Sequence, residues 1–192
     1  MKTKRLVVGI SGSSGAILGI RLLELLRPTG IETHLVVTPA ARLTISQETD
    51  WKVEDVLALA SVAYHPQDIG AAIASGSFAT LGMVVAPCSI KSLSAIANCY
   101  SSDLLTRAAD VTLKEGRPLI LAVRETPLHI GHLRLMVQAA EAGAVIFPPV
   151  PAFYPRPSSL DEVVTDLAGR ILARLGIDND AYTEWKGLKG SV

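Results

Sequence analysis

With 192 residues, 18 basic and 18 acidic, the chain can fill one substantial core, and its even charge gives no electrostatic case for nucleic acid or an anionic membrane surface. Charged residues make up 19%, below the about 25% usual in soluble chains, and mean hydropathy is positive, yet no apolar run reaches the ~18 residues of a membrane span. Surplus apolar surface predicts a homo-oligomer, while two distant cysteines and an N-terminus without a signal-peptide pattern predict a cytoplasmic protein with neither a disulfide framework nor a zinc spacing.

An apolar strand is predicted over Arg5–Ile10, running into the loop Ser11-Gly12-Ser13-Ser14-Gly15. Helical spacing of Ile17, Ile20, Leu22, Leu23, Leu25 and Leu26 predicts a helix over Ala16–Leu26, stopped by Pro28 and Gly30. A strand over Glu32–Val37 and a helix over Pro39–Ser46 follow, with Pro39 suited to a first turn. Val53–Leu59 reads as a short helix, and Ile69–Thr80, holding Ser75-Gly76-Ser77, as a functional loop. Gly82–Ala86 is a buried strand that opens into Pro87-Cys88-Ser89-Ile90-Lys91-Ser92. Helices over Ser89–Ala97 and Asp103–Lys114, a strand over Leu119–Val123, a helix over Leu128–Ala140 and a strand over Ala144–Phe147 come next. Proline-rich Pro148–Pro157 fits neither helix nor central strand. A helix over Ser158–Leu175 closes the pattern, capped by Ser158 or Ser159 and ended at Gly176. Strands alternating with helices imply one three-layer α/β/α domain over residues 1–192 with a mostly parallel sheet.

In such a sheet, ligands bind beyond the carboxyl ends of the strands. Two hydroxyl-rich loops there, after Arg5–Ile10 and after Gly82–Ala86, suggest one shared anionic ligand held by backbone N–H groups. Gly9, Gly12 and Gly15 are spaced G-x-x-G-x-x-G, which is not the dinucleotide fingerprint, and Val37-Thr38 offers no carboxylate for a ribose diol. Nor does Gly-Lys-Ser/Thr follow, so this is not a Walker loop. A mononucleotide phosphate such as that of FMN fits; plain tight turns holding helices close to the sheet are the alternative. Arg107, Lys114, Arg124 and Arg170 form a basic set, of which Arg124, beside Glu125 at a buried strand's carboxyl end, is placed to face the crevice. Without an acidic cluster for magnesium, a phosphorylated substrate here is neutralised by arginine and lysine, leaving a carboxylate for proton transfer. His129 and His132 lack a third metal ligand, and Cys88 reads as a small buried residue. Tyr154, in a rigid loop, reads as a binding residue.

Eight segments in order then carry a resemblance: Gly9–Gly15, Gln47–Asp50, Ser75–Ser77, Pro87–Lys91, Arg107–Asp110, Lys114, Arg124–Pro127 and Pro151–Tyr154. The sequence resembles the UbiX/Pad family of flavin prenyltransferases, in its bacterial UbiX branch. The resemblance implies a Rossmann-like or flavodoxin-like fold assembled into a dodecamer with active sites at subunit interfaces. It implies metal-independent alkylation of reduced FMN at N5 and C6 by dimethylallyl monophosphate, the prenylated FMN then serving UbiD-type decarboxylases. By position it implies that Gly12, Ser13, Ser14, Thr38, Ser89, Ile90, Lys91, Ser92 and Arg124 hold FMN, with Ser14 near its reactive edge. Lys114, Tyr154 and Arg170, supported by Arg107, would grip the donor phosphate; Glu125 would manage the proton and Glu48 would line the same pocket. Thr38-Pro39 stands where the family often has Ser-Lys, and Ser13 where it has Ala or Thr. Rival readings are an FMN-dependent decarboxylase acting directly on a carboxylic acid, whose relatives carry an Asn in the loop that is Pro87–Lys91 here, and a flavodoxin-type electron carrier, usually acidic.

Overall fold

A computed structural model of the chain describes residues 3–188. Six strands form its sheet: β1 (Arg5–Ile10), β2 (Glu32–Val37), β3 (Val62–Tyr64), β4 (Met83–Cys88), β5 (Leu119–Val123) and β6 (Val145–Ile146). The helices are α1 (Ala16–Leu26), α2 (Pro39–Glu48), α3 (Val53–Ala58), α4 (Ile90–Ala97), α5 (Leu104–Lys114), α6 (Ile130–Glu141) and α7 (Leu160–Arg174). Every pairing is parallel and the order is β3-β2-β1-β4-β5-β6. That is the doubly wound arrangement, in which the chain reverses direction across the sheet between β1 and β4 and opens a crevice there.

Both faces of the central strands are covered, which is why they read as unbroken apolar runs. Leu6, Val8 and Ile10 of β1 pack with α1, α2, α3 and α7, while Val7 packs on the other side with α4, α5 and α6. Gly19 lets α1 press against β4: a Cβ there would lie 2.3 Å from the Ala86 carbonyl oxygen. Arg21 ties α1 to α7 through Asp161 at 2.5 Å.

Two boundaries differ from the sequence reading. Edge strand β3 is three residues long and largely exposed, too short to show alternation; Thr33 and Ser61 tack it to β2 by reciprocal amide-to-hydroxyl bonds of 3.1 and 3.0 Å. The sequence places this strand over Gly82–Ala86, with Pro87 opening the loop. The strand instead continues to Cys88 through a register shift between Val85 and Cys88. Elsewhere the expected elements form within one to two residues, and the proline-rich stretch is irregular.

Candidate functional site: a crevice at the strand reversal

Four helices begin at the carboxyl ends of β1, β2 and β4 and around the reversal point. Each leaves first-turn N–H groups pointing outward and the positive end of its dipole there. Gly15 precedes α1 in a left-handed conformation, at φ 99°. Thr38 caps α2, its hydroxyl accepting the Ala41 N–H at 3.2 Å. Ser89 caps α4 by accepting the Ser92 N–H at 3.3 Å. Asp103 caps α5 in a reciprocal pair with Thr106.

Ser11 joins the two hydroxyl-rich loops. Fully buried, its hydroxyl donates to the Pro87 carbonyl at 2.9 Å and accepts the Ser89 N–H at 2.8 Å. The loop after β1 is thus fixed against the loop after β4. Gly12 sits so close to α2 that a Cβ would fall 2.2 Å from the Ala40 Cβ, so only glycine fits. On the far side, the Arg124 amide donates to the Cys88 carbonyl at 3.1 Å, carrying Arg124 and Glu125 to the rim.

The result is a hollow of about 550 Å³ bounded by Gly12, Ser13, Ser14, Thr38, Ser89, Ile90, Lys91, Ser92, Arg124 and Glu125. The nine expected FMN residues and the expected proton carrier therefore meet in one crevice. Ser13 Oγ is buried against it without a hydrogen-bond partner, a polar atom that a bound ligand oxygen would satisfy. Helix N-termini, serine hydroxyls and two cations suit a mononucleotide phosphate. Glu125 and Arg124 form no ion pair with each other among the described residues; the Glu125 carboxylate accepts the Thr126 N–H at 3.0 Å.

Other expected residues lie elsewhere. Glu48 is adjacent to the crevice rather than lining it: its Oε2 accepts the Gly15 N–H at 2.7 Å and so steadies the turn that carries Ser14. Lys114, at the end of α5, lies about 15 Å down the helix from its first residue, Leu104. It pairs with Glu115 at 2.6 Å. Ser75-Gly76-Ser77 lies against that same end, where Arg117 donates to the Gly76 carbonyl at 2.6 Å. Arg107 donates to the Ala74 carbonyl at 3.2 Å and pairs with Asp110 at 2.8 Å. Arg170 is exposed in the last third of α7, and Tyr154 donates its hydroxyl to the Thr183 carbonyl at 2.6 Å. Within one protomer, then, the donor-phosphate set does not converge on the crevice.

Cys88 is sealed in the core, where burial pushes its thiol up to about 12, so it holds its proton and is no nucleophile. No group of three or more metal-ligating side chains occurs among the described residues. Of the residues that line the crevice, the sequence reading missed Gln67, Asp103 and Thr106; Gln67, on an irregular loop, carries no local signal.

Residues 1–145 match the Flavoprotein family. Over 187 residues the chain is 62% identical to the flavin prenyltransferase UbiX of Escherichia coli, covering 96% of this chain and 99% of that protein. To the flavin prenyltransferase UbiX of Thauera aromatica it is 54% identical over 183 residues, covering 95% and 94%. The fold superposes on the crystal structure of AnUbiX in complex with FMN and dimethylallyl pyrophosphate with a TM-score of 0.96 at 45% identity, covering 98% of this chain and 100% of that one. A dodecameric FMN-dependent UbiX-like decarboxylase from Escherichia coli gives 0.93 at 44% identity, covering 95% and 100%.

Proposed function

This chain belongs to the flavin prenyltransferase family of flavoproteins, and from that premise we propose how its residues divide the reaction between two phosphate sites. The protein is an enzyme that transfers a dimethylallyl group to FMN. Phosphate would leave the donor, dimethylallyl monophosphate, as its C1 bonds to N5 of reduced FMN and the N5 proton departs; C6 would then add across the prenyl double bond, giving up its hydrogen while the other alkene carbon gains one. Gly12, Ser13 and Thr38 receive the FMN phosphate with the N-termini of α1 and α2, while Ser89–Ser92 and Arg124 hold the rest of the flavin. Ser14 lies at its reactive edge, and Glu48 keeps that turn in place through Gly15. Glu125, with a carboxylate at the rim, takes up and returns the proton that accompanies phosphate departure.

Arg107, Lys114, Tyr154 and Arg170 bind the donor phosphate from neighbouring copies. The support is their scatter over one protomer together with an apolar stripe, Ile130, Leu133 and Val137, exposed along α6, with exposed Leu128 just before the helix and soon after Glu125. A second copy seated on this stripe would close the crevice, in keeping with the dodecameric relative. We read residues 1–192 as one functional unit whose product serves UbiD-type decarboxylases. No described helix is long and apolar enough to cross a membrane; a cytoplasmic location is part of the proposal, checked by cell fractionation.

The observation that carries this reading is the convergence of both hydroxyl loops, Arg124 and Glu125 on one crevice at the strand reversal. The test is anaerobic incubation with reduced FMN and dimethylallyl phosphate, then the mass of the released flavin. A gain of one dimethylallyl unit is expected. Unaltered flavin, with release of CO2 from an aromatic acid by the protein alone, would favour the decarboxylase reading instead.

A further inference from the structure

The proline-rich loop that carries Tyr154 has little structure of its own. Its internal backbone bonds are Val150 to Pro148 at 2.7 Å and Arg156 to Phe153 at 3.1 Å, and a hollow of about 350 Å³ separates it from α7. What fixes the tyrosine is the segment after α7. There the chain turns at Gly176, with φ 72°, buries Ile177, and runs back along the helix. Asn179 fastens this strap: its Nδ2 donates to the Gly169 carbonyl at 3.0 Å, and its Oδ1 accepts the Ala181 N–H at 3.1 Å. Gly169 has no room for a side chain, since a Cβ would lie 2.8 Å from Asn179 Oδ1 and 2.9 Å from the Ala181 carbonyl carbon. One residue on is Arg170. Three residues before Gly169, Asp166 Oδ1 accepts the Thr183 N–H at 3.0 Å. The other side of that strap residue, the Thr183 carbonyl, accepts the Tyr154 hydroxyl, and the Trp185 ring meets the Tyr154 ring edge-on at 5.2 Å.

We propose that the C-terminal strap, residues 179–185, positions Tyr154 for the donor phosphate, with Asp166 and Trp185 as the positioning residues that set its ring. The inference rests on Tyr154 being a donor-phosphate ligand. Asp166 fixes the Thr183 peptide; that peptide and the indole fix the phenol oxygen; and the hydroxyl hydrogen need only rotate about its C–O bond to pass from the carbonyl to a phosphate oxygen. A phosphate is the stronger acceptor, being charged. Holding the ring in place beforehand spares the donor the cost of ordering it, so the strap acts on donor affinity and not on the flavin.

The experiment measures donor KM, kcat and FMN affinity for Asp166→Ala, Asp166→Asn, Trp185→Ala and Tyr154→Phe, with thermal unfolding to confirm folding. Asp166→Ala and Trp185→Ala should each raise donor KM about three- to tenfold, the range of one neutral hydrogen bond or aromatic contact, with kcat and FMN affinity unchanged. Asp166→Asn keeps an accepting oxygen and should restore KM. Adding Asp166→Ala to Tyr154→Phe should have no further effect, because the strap acts through the hydroxyl. An unchanged KM in Tyr154→Phe would overturn the assignment of Tyr154. A raised KM in Tyr154→Phe, with Asp166→Ala and Trp185→Ala normal or fully additive to it, would overturn the strap and leave that assignment standing.

Discussion

Gly12–Ser14, Thr38, Ser89–Ser92 and Arg124 meet inside one protomer, because each follows a strand of the same parallel sheet and the sheet delivers all its carboxyl ends to one edge. Arg107, Lys114, Tyr154 and Arg170 ride on helix surfaces and an irregular loop, and no element of the protomer gathers them. On the proposed assignment, the flavin half of the site is thus a product of folding, and the donor half a product of assembly. The first should survive any change that leaves the core intact; the second should be lost whenever copies separate.

The largest effect should come from separating them. Ile130→Asp with Val137→Asp places two carboxylates on the exposed α6 stripe, where neither side chain supports the core. Sedimentation should show smaller species than the unaltered protein, prenylation should fall below detection, and FMN should still bind. Active small species would erase the distinction between the halves.

Next comes Glu125→Gln, within the flavin half but acting on the chemistry. Acid–base help is typically worth ~10²–10⁴-fold, so single-turnover prenylation should slow by at least ~10²-fold while assembly and FMN binding persist. In the structure Glu125 is not Arg124's ion-pair partner, so removing its charge should leave Arg124 free to hold FMN. Loss of FMN with a near-normal rate at saturation would assign Glu125 to the loop's shape instead.

A smaller effect is expected from Arg170→Ala, the reverse test of the same comparison. A charged hydrogen bond to phosphate is worth roughly 1.5–3 kcal/mol, or roughly ten- to hundredfold in donor affinity. Titration should show FMN affinity unmoved. If FMN is lost instead, the two halves are not separate.

The same difference decides what was legible in the sequence. The flavin half could be read because its residues are strand-end neighbours in short motifs: Ser13 and Ser14 follow β1, and Ser89–Ser92 follow β4. Glu48 came from resemblance alone, and its bond to the Gly15 amide is a long-range contact that no spacing encodes. Lys114 and Arg170 read like any solvated helix charge, because on the proposed assignment what distinguishes them lies on other copies. Edge strand β3 was invisible for a related reason: three largely exposed residues carry no hydrophobic period, and what orders them is pairing with His34, Leu35 and Val36 of β2.

The smallest effect belongs to neither half and serves as a control on both. His34, buried in β2, has its Nε2 2.8 Å from Glu32 and its Nδ1 2.9 Å from the Tyr64 hydroxyl, with the Phe78 ring edge-on at 5.0 Å. Burial holds its pKa below the ordinary 6.5, opposed by Glu32 and aided by Arg5. The unfolded chain therefore takes up a proton as pH falls through 6.5 while the folded chain does not, so stability present above that pH declines below it. Glu115, Glu162 and Asp161 have lowered pKa values, and their contributions are lost only as pH falls below 4.5 and 3.8. The interval from about pH 6.5 to 5 thus isolates a histidine response. Melting temperature should drop across it, and His34→Gln, though less stable at neutral pH, should show a flatter decline. The His34 ring contacts neither phosphate site, so FMN affinity and donor KM should be the same in both proteins at pH about 7.5, well above this histidine's range. A shift in either constant would mean that the sheet transmits changes at β2 to the crevice, and that the flavin half is less self-contained than its geometry implies.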